Sequence, residues 1–324
     1  MKYPLIFIVI LLLSACSFPR VDYRQSIEAP RQSSVSFRQL QQVDWRHGAQ
    51  ACENAEQPAL QTYQHDATTY LIRQNKCSHF ESPFMILFIG DKQAVLIDTG
   101  TSGDSEQVPI YTTVNKIIEQ SSGTKFSIDK VTILHSHSHR DHHQGDAQFA
   151  HNSRYSIVGT SSQSVNQFYQ FERTSEFQFD LGNRVLTIFA IPGHQPQSIA
   201  IYDSKTQWLV SGDTFYPGQI YVRNWQSYRD SIKKMTLFAR SNPVDAIIGT
   251  HIEMSQTPGE IYPIGSTYQP RETYLPMSVV ELATLDKTLD KHEQPTELVF
   301  DRFIITPMSG LQKGLSSVVK FFVE

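Results

Sequence analysis

Short apolar runs separated by polar or glycine-bearing turns begin near residue 68 and recur along most of the chain. Thr68-Thr69-Tyr70-Leu71-Ile72 and Phe84-Met85-Ile86-Leu87-Phe88-Ile89 are rich in strand formers. Gly90-Asp91 supplies a turn into Ala94-Val95-Leu96-Ile97, and Asp98-Thr99-Gly100 ends that third strand. Such consecutive runs predict a sheet buried on at least one face. Residues 108–120 change period: Val114, Ile117 and Ile118 share one side of a helix that Ser121-Ser122-Gly123 ends. Further strands are predicted at 130–134, 154–158, 184–190, 198–202, 207–210 and 246–248, with helices at 162–169, 227–240 and 277–292. Residues 256–276, rich in Pro, Gly and Tyr, read as loop, and 318–323 as a closing strand. This mixture is of the α/β class. With no internal repeat and no long linker after residue 43, 43–324 forms one folded domain with a loop-rich C-terminal extension.

A chain of 324 residues, 40% of them hydrophobic, can bury one large core or two modest ones. Its 16 Gly and 16 Pro exclude collagenous and low-complexity classes. The formal charge of -4, without a Lys/Arg block, predicts no nucleic-acid partner and leaves a small molecule as the expected one.

The N-terminus carries separate information. Lys2 precedes an apolar run over 5–13, too short to span a bilayer, which meets Leu13-Ser14-Ala15-Cys16. That ending resembles a bacterial lipoprotein processing site. The resemblance implies a signal peptide over 1–15, cleavage before Cys16 and lipid on that residue. Ser17 after the cysteine resembles the pattern that permits sorting to an outer membrane, so the expected location is the cell envelope, facing the periplasm. Residues 16–42, polar and bearing Pro19 and Pro30, read as a tether. Cys52 and Cys77 then remain, either as one disulfide in an oxidising compartment or as two buried thiols.

The chemistry concentrates in Leu134-His135-Ser136-His137-Ser138-His139-Arg140-Asp141-His142-His143-Gln144-Gly145, where five of twelve histidines fall within nine positions. A strand ending in a loop can aim His137 and His139 at one metal, and a following curl can bring Asp141 and His142 to a second. Imidazole and carboxylate are suitable borderline donors for Zn²⁺ and related ions.

His137-Ser138-His139-Arg140-Asp141-His142 matches the His-x-His-x-Asp-His signature of the metallo-beta-lactamase fold superfamily. Pro192-Gly193-His194, Ser211-Gly212-Asp213 and Gly249-Thr250-His251 follow in the order that family shows, and Asp98-Thr99-Gly100 resembles its early strand-end motif. The resemblance covers roughly residues 68–255 and implies a four-layer αβ/βα sandwich holding two metal ions, zinc by preference. It places one ion on His137, His139 and His194, a second on Asp141, His142 and His251, and makes Asp213 the bridge beside a hydroxide. Asp98 is expected to orient a ligand, His135 and His143 to be neighbours, and Gly100 and Gly145 to permit tight turns. Two features depart from familiar members: no cysteine follows Cys77, and Gln197 stands where a glycine is usual after the third histidine.

An activated hydroxide attacking an electrophilic carbonyl is the expected reaction, on a lactone or other carboxylic ester. Phosphodiesters and beta-lactams are the enzymatic alternatives, and a lipid-anchored metal-binding envelope protein the non-enzymatic one. Asp141 and Asp213 are the carboxylates expected to serve catalysis. Tyr216 either assists an oxygen leaving group or packs beside Phe215. The stretches 216–221 and 261–263 are expected to wall the pocket.

Overall fold

The computed structural model describes residues 18–25, 34–54, 56–121 and 128–314. The signal segment, Cys16 and the strand expected at 318–323 lie outside the described residues.

Two mixed sheets face each other. In the first, Leu60–Asp66, Thr69–Gln74, Phe84–Ile89, Ala94–Ile97, Val131–Leu134 and Tyr155–Ile157 lie side by side in that order. In the second, the order is Ala246–Gly249, Trp208–Gly212, Ile199–Asp203, Val185–Ala190 and Phe177–Asp180. The strand Phe84–Ile89 shows why the first sheet is buried on both faces. Phe84, Ile86 and Phe88 enter the core between the sheets with Leu186, Ile188, Ile201, Trp208 and Ile248. The alternate residues Met85, Leu87 and Ile89 meet the helix Ile110–Ser121 through Ile110, Val114, Ile117 and Ile118. A period of two in the strand and of 3.6 in the helix thus bury complementary stripes. Behind the second sheet, Phe189, Ala200, Leu209 and Ile247 pack against Tyr228, Ile232 and Met235 of the helix Trp225–Ser241. Leu282, Leu285 and Leu289 of Val279–Leu289 join the same cluster. The layers therefore run helix, sheet, sheet, helices, an α/β sandwich of the expected kind.

A third sheet was not foreseen. Arg20–Asp22, Glu297–Val299, Ile304–Pro307 and Gln219–Val222 form four short strands in that order. The described residues of the stretch expected as a tether, 18–25 and 34–42, are consequently part of the folded body. Arg20–Asp22 pairs in parallel with Glu297–Val299. The helix Val35–Gln41, capped by Ser34 accepting from the Phe37 amide, buries Phe37 and Leu40 between the main sheets. Two apolar residues three apart make a usable helix face even in a polar stretch, which a reading of average polarity passes over.

Cys52 and Cys77 form a disulfide across 25 residues. It pins the segment that leads from the Thr69–Gln74 strand into the edge of the cavity described next.

Candidate metal centre

The donors arrive from the carboxyl ends of strands in both sheets, where an α/β sheet leaves its crevice. Val131–Leu134 runs into the histidine segment, which tightens to a single helical turn at Arg140–His142. Val185–Ala190 leads to His194, Trp208–Gly212 to Asp213 and Ala246–Gly249 to His251. Two glycines allow the approach. A Cβ on Gly145 would stand 2.1 Å from the Thr99 carbonyl oxygen, and one on Gly212, at φ +53°, 2.8 Å from the Ser136 Cβ.

All seven expected donors come together, as two groups. His137, His139, His194 and Asp213 form one, and Asp141, His142 and His251 the other; within each, the donor atoms lie within 4.8 Å of one another. His139 Nδ1 lies 2.9 Å from His137 Nε2 and 3.1 Å from His194 Nε2. Asp141 Oδ2 is 3.1 Å from His142 Nε2 and 3.2 Å from His251 Nε2, and those two nitrogens are 3.2 Å apart. Asp213 occupies the middle: Oδ2 is 3.5 Å from both His137 and His142 and 3.7 Å from His194, while Oδ1 is 3.5 Å from His251.

These separations fit metal ions. Two donors held tetrahedrally at about 2.0–2.1 Å from zinc stand about 3.3 Å apart, and the distances above bracket that value. Electrostatics agree for the first group. Burial, reinforced by the neighbouring imidazoles, holds His137 well below the usual histidine range and pushes His139 down to about 3, so both present neutral nitrogens. Burial would raise the Asp213 carboxyl, but the charged His251 and His142 outweigh it and keep the carboxylate ionised. His142 and His251 behave differently. Burial is outweighed by the nearby carboxylates, which raise His142 strongly and His251 to about 9, so an ion here must displace protons.

The outer nitrogens are anchored as metal-binding histidines require. His194 Nδ1 lies 2.8 Å from the Tyr221 carbonyl and His251 Nδ1 2.9 Å from the Glu81 carbonyl. Asp98 carries most of this work. Its carboxylate accepts from the Ser136 amide and hydroxyl and lies 2.8 Å from His142 Nδ1, while the Ser136 oxygen is 3.0 Å from His137 Nδ1. Asp98 sits at φ 63°, a conformation costly for a non-glycine residue. One buried carboxylate thus orients a donor in each group. Thr250 does the same for the bridge, donating its hydroxyl to Asp213 Oδ1 at 2.6 Å.

His135 stands outside both groups, between the Val158 carbonyl and Asp146, and His143 packs edge-on against it. Gln197 holds its loop by accepting from Ser138 and donating to Ser162. Of the two roles open to Tyr216, the structure shows packing. It is buried, its ring packs beside His251, and its hydroxyl donates to the Gln219 carbonyl at 2.9 Å and to Glu253 at 3.0 Å. That hydroxyl is committed to the wall.

The donors His139, Asp141, His194, Asp213 and His251 open onto a cavity of about 170 Å³. Phe80, Tyr221, Ile261, Tyr262 and Pro263 supply apolar lining, as expected for 216–221 and 261–263, and the exposed Ile264 stands at its rim. Sequence reading missed Lys76, Glu81, Glu253 and Gln269, which line the same cavity, and Gln195, whose amide contacts the His139 ring. Burial, with Asp141 and Glu253 adding repulsion, raises Glu81 to about 7; burial lowers Lys76 to about 8. None of these carries a motif, and only His194-Gln195 adjacency could have flagged one of them.

Solved structures resemble the chain at low identity. The metallo-beta-lactamase from Pontibacter korlensis is 13% identical, with 72% of this chain and 100% of that one covered and a TM-score of 0.45. DIM-1 metallo-beta-lactamase is 12% identical over 72% of this chain and 98% of its own, at 0.46, and TMB-1 is 15% identical over the same shares, at 0.43. No curated protein matches the sequence. A sequence model of the Metallo-beta-lactamase superfamily matches residues 80–251, over half the chain and every donor named above. With that match, the four-layer fold and the paired donor groups, the chain belongs to the metallo-beta-lactamase superfamily and is a metal-dependent hydrolase.

Proposed function

We propose that the two donor groups hold two zinc ions and that the protein hydrolyses an acyl carbonyl in a small molecule. The carrying observation is the position of Asp213, whose carboxylate lies 3.5–3.7 Å from histidines of both groups. A carboxylate can span two ions where a neutral imidazole cannot. Ions bound there would supply a water of lowered pKa and an electrophile for the carbonyl oxygen. The chain's own residues hold and orient: Asp98 and Thr250 fix the donors, and the apolar wall of Phe80, Tyr221 and Ile261 excludes water from one side of the substrate.

The commitment of Tyr216 to Glu253 bears on substrate. An ester preference rested on the bridge at Asp213 and on that hydroxyl helping an oxygen leaving group; the hydroxyl, held by the wall, offers no such help, and a bridged hydroxide serves an amide carbonyl as well as an ester. The beta-lactam amide therefore moves ahead of lactones and plain esters as the first bond to assay. A panel of beta-lactams, lactones, linear esters, thioesters and phosphodiesters, compared by kcat/KM on metal-replete protein, tests this. Turnover of phosphodiesters alone would overturn the acyl reading. Lipid attachment at Cys16 is a separate proposal supported by the leader sequence; intact mass of membrane-extracted protein tests it, and an unmodified N-terminus elsewhere refutes it.

A further inference from the structure

The cavity contains a second set of polar groups that the metal chemistry does not use. Lys76, Glu81, Glu253 and Gln269 come from segments far apart in the chain and line it together. Their hydrogen-bonding capacity is incompletely spent. Glu253 accepts the Tyr216 hydroxyl and the Gln219 amide on Oε2 alone, leaving Oε1 without a bond among the described residues. The Glu81 carboxylate likewise accepts no hydrogen bond among them, although its backbone oxygen serves His251. Gln269 is only 4% exposed, yet its side-chain oxygen has no partner. A buried acceptor left unpaired is costly, and its persistence in a cavity wall points to a donor brought by a ligand.

Charge points the same way. Arg73 forms a two-pronged pair with Glu272, and Lys76 lies 3.8 Å from that same carboxylate while donating to the Phe80 carbonyl. Arg73 and Glu272 thus satisfy one another behind the wall, and among the described residues Lys76 is the one lysine or arginine lining the cavity, beside the carboxyl groups of Glu81 and Glu253. Three acceptor side chains with capacity to spare, two of them carboxyl groups, suit a single group with several donors and a positive charge.

We propose that this wall is a specificity subsite for an ammonium group on the substrate, held by Glu81, Glu253 and Gln269. The proposal rests on the hydrolytic reading for the position of the ammonium relative to the scissile carbonyl. Its binding component does not depend on which bond is cleaved.

The test uses the metal-loaded full chain and matched probes. By calorimetry, benzylammonium should bind at least about tenfold more tightly than benzyl alcohol, as charge-assisted hydrogen bonds in a partly dry site imply. Glu81→Gln should reduce that ratio several-fold, and Gln269→Met, which leaves all acidic residues in place, should reduce it less. In turnover, ampicillin should exceed benzylpenicillin, which lacks the amino group, in kcat/KM, and Glu81→Gln should shrink that ratio. Equal binding of the two probes by the wild-type protein overturns the subsite. So does a preference unchanged in both variants, or a third zinc equivalent lost with Glu81→Gln, which would make the wall another metal site. Absence of turnover across the whole bond panel with the ammonium preference retained sinks the hydrolytic reading and leaves the subsite standing. Turnover with no amine preference does the reverse.

Discussion

The metal-facing wall of the cavity comes from four short strand-end motifs inside residues 80–251, whereas the wall of Lys76, Glu81, Glu253 and Gln269 draws on segments at or beyond both limits of that stretch. On the first, each motif starts within four residues of the end of a buried strand, so the sheet sets its position with little freedom. The second is stitched from a disulfide-pinned loop, a residue two beyond His251 and the loop-rich segment near Gln269. Superfamily membership therefore speaks to the chemistry of the first wall and says little about what the second selects. A single fold can keep its reaction and change its substrate in this way.

The comparison predicts unequal sensitivities. The largest effect belongs to the bridge: Asp213→Ala should lower kcat/KM by at least about a thousandfold, because it removes an interaction with both ions. Metal content of the folded variant should fall with it; two retained ions and undiminished turnover would break the bridging assignment. Chelation of the wild-type protein should match that loss and, unlike the substitution, reverse on adding zinc.

Next comes Asp98→Asn, which keeps shape but removes the charge facing His142. Outer partners of metal ligands are typically worth about 10–100-fold in metal affinity, and equilibrium zinc competition should show a loss in that range. An affinity equal to wild type would mean that the backbone alone orients the imidazoles.

The second wall should answer in stability before chemistry. Cys52→Ser with Cys77→Ser opens a 25-residue loop, at a cost of about 3 kcal/mol. Denaturant unfolding of the metal-loaded protein should register that loss while zinc stoichiometry stays at two. Loss of an ion would show that the two walls are mechanically one.

The smallest effect is expected for Tyr216→Phe. Deleting its bonds to Gln219 and Glu253 should cost about 1 kcal/mol of stability and change kcat less than threefold, on the order of what an indirect contact produces. A drop in kcat of two orders, with pH dependence altered, would return the hydroxyl to the reaction.

How legible each part was follows from its local signal. The strands Phe84–Ile89 and Trp208–Gly212 are apolar on both faces and stood out at once. Gln219–Val222, Glu297–Val299 and Ile304–Pro307 are three or four residues long and lean on one another across the chain, so nothing nearby marks them. Asp98 was readable as an orienting residue because it ends a strand beside the donors. Tyr216 stayed open for the opposite reason: adjacency to Asp213 said nothing about which way its hydroxyl points, and Glu253, 37 positions away, decides that.

By itself the sequence determined the α/β class and the histidine cluster, since burying apolar strands is a periodic, local property and metal ligation demands a few residue types at short spacing; the four-layer sandwich and the donors His194, Asp213 and His251 were legible only through the resemblance to the superfamily. Tertiary structure alone decided the rest: that Cys52 meets Cys77, that residues 20–22 and 35–41 belong to the folded body, and that Lys76, Glu81, Glu253 and Gln269 share a cavity. These depend on chain segments as far apart as Arg20 and Glu297 being brought into contact. No local pattern encodes such a meeting, because its stabilisation comes from burial summed over the whole core rather than from the residues that meet.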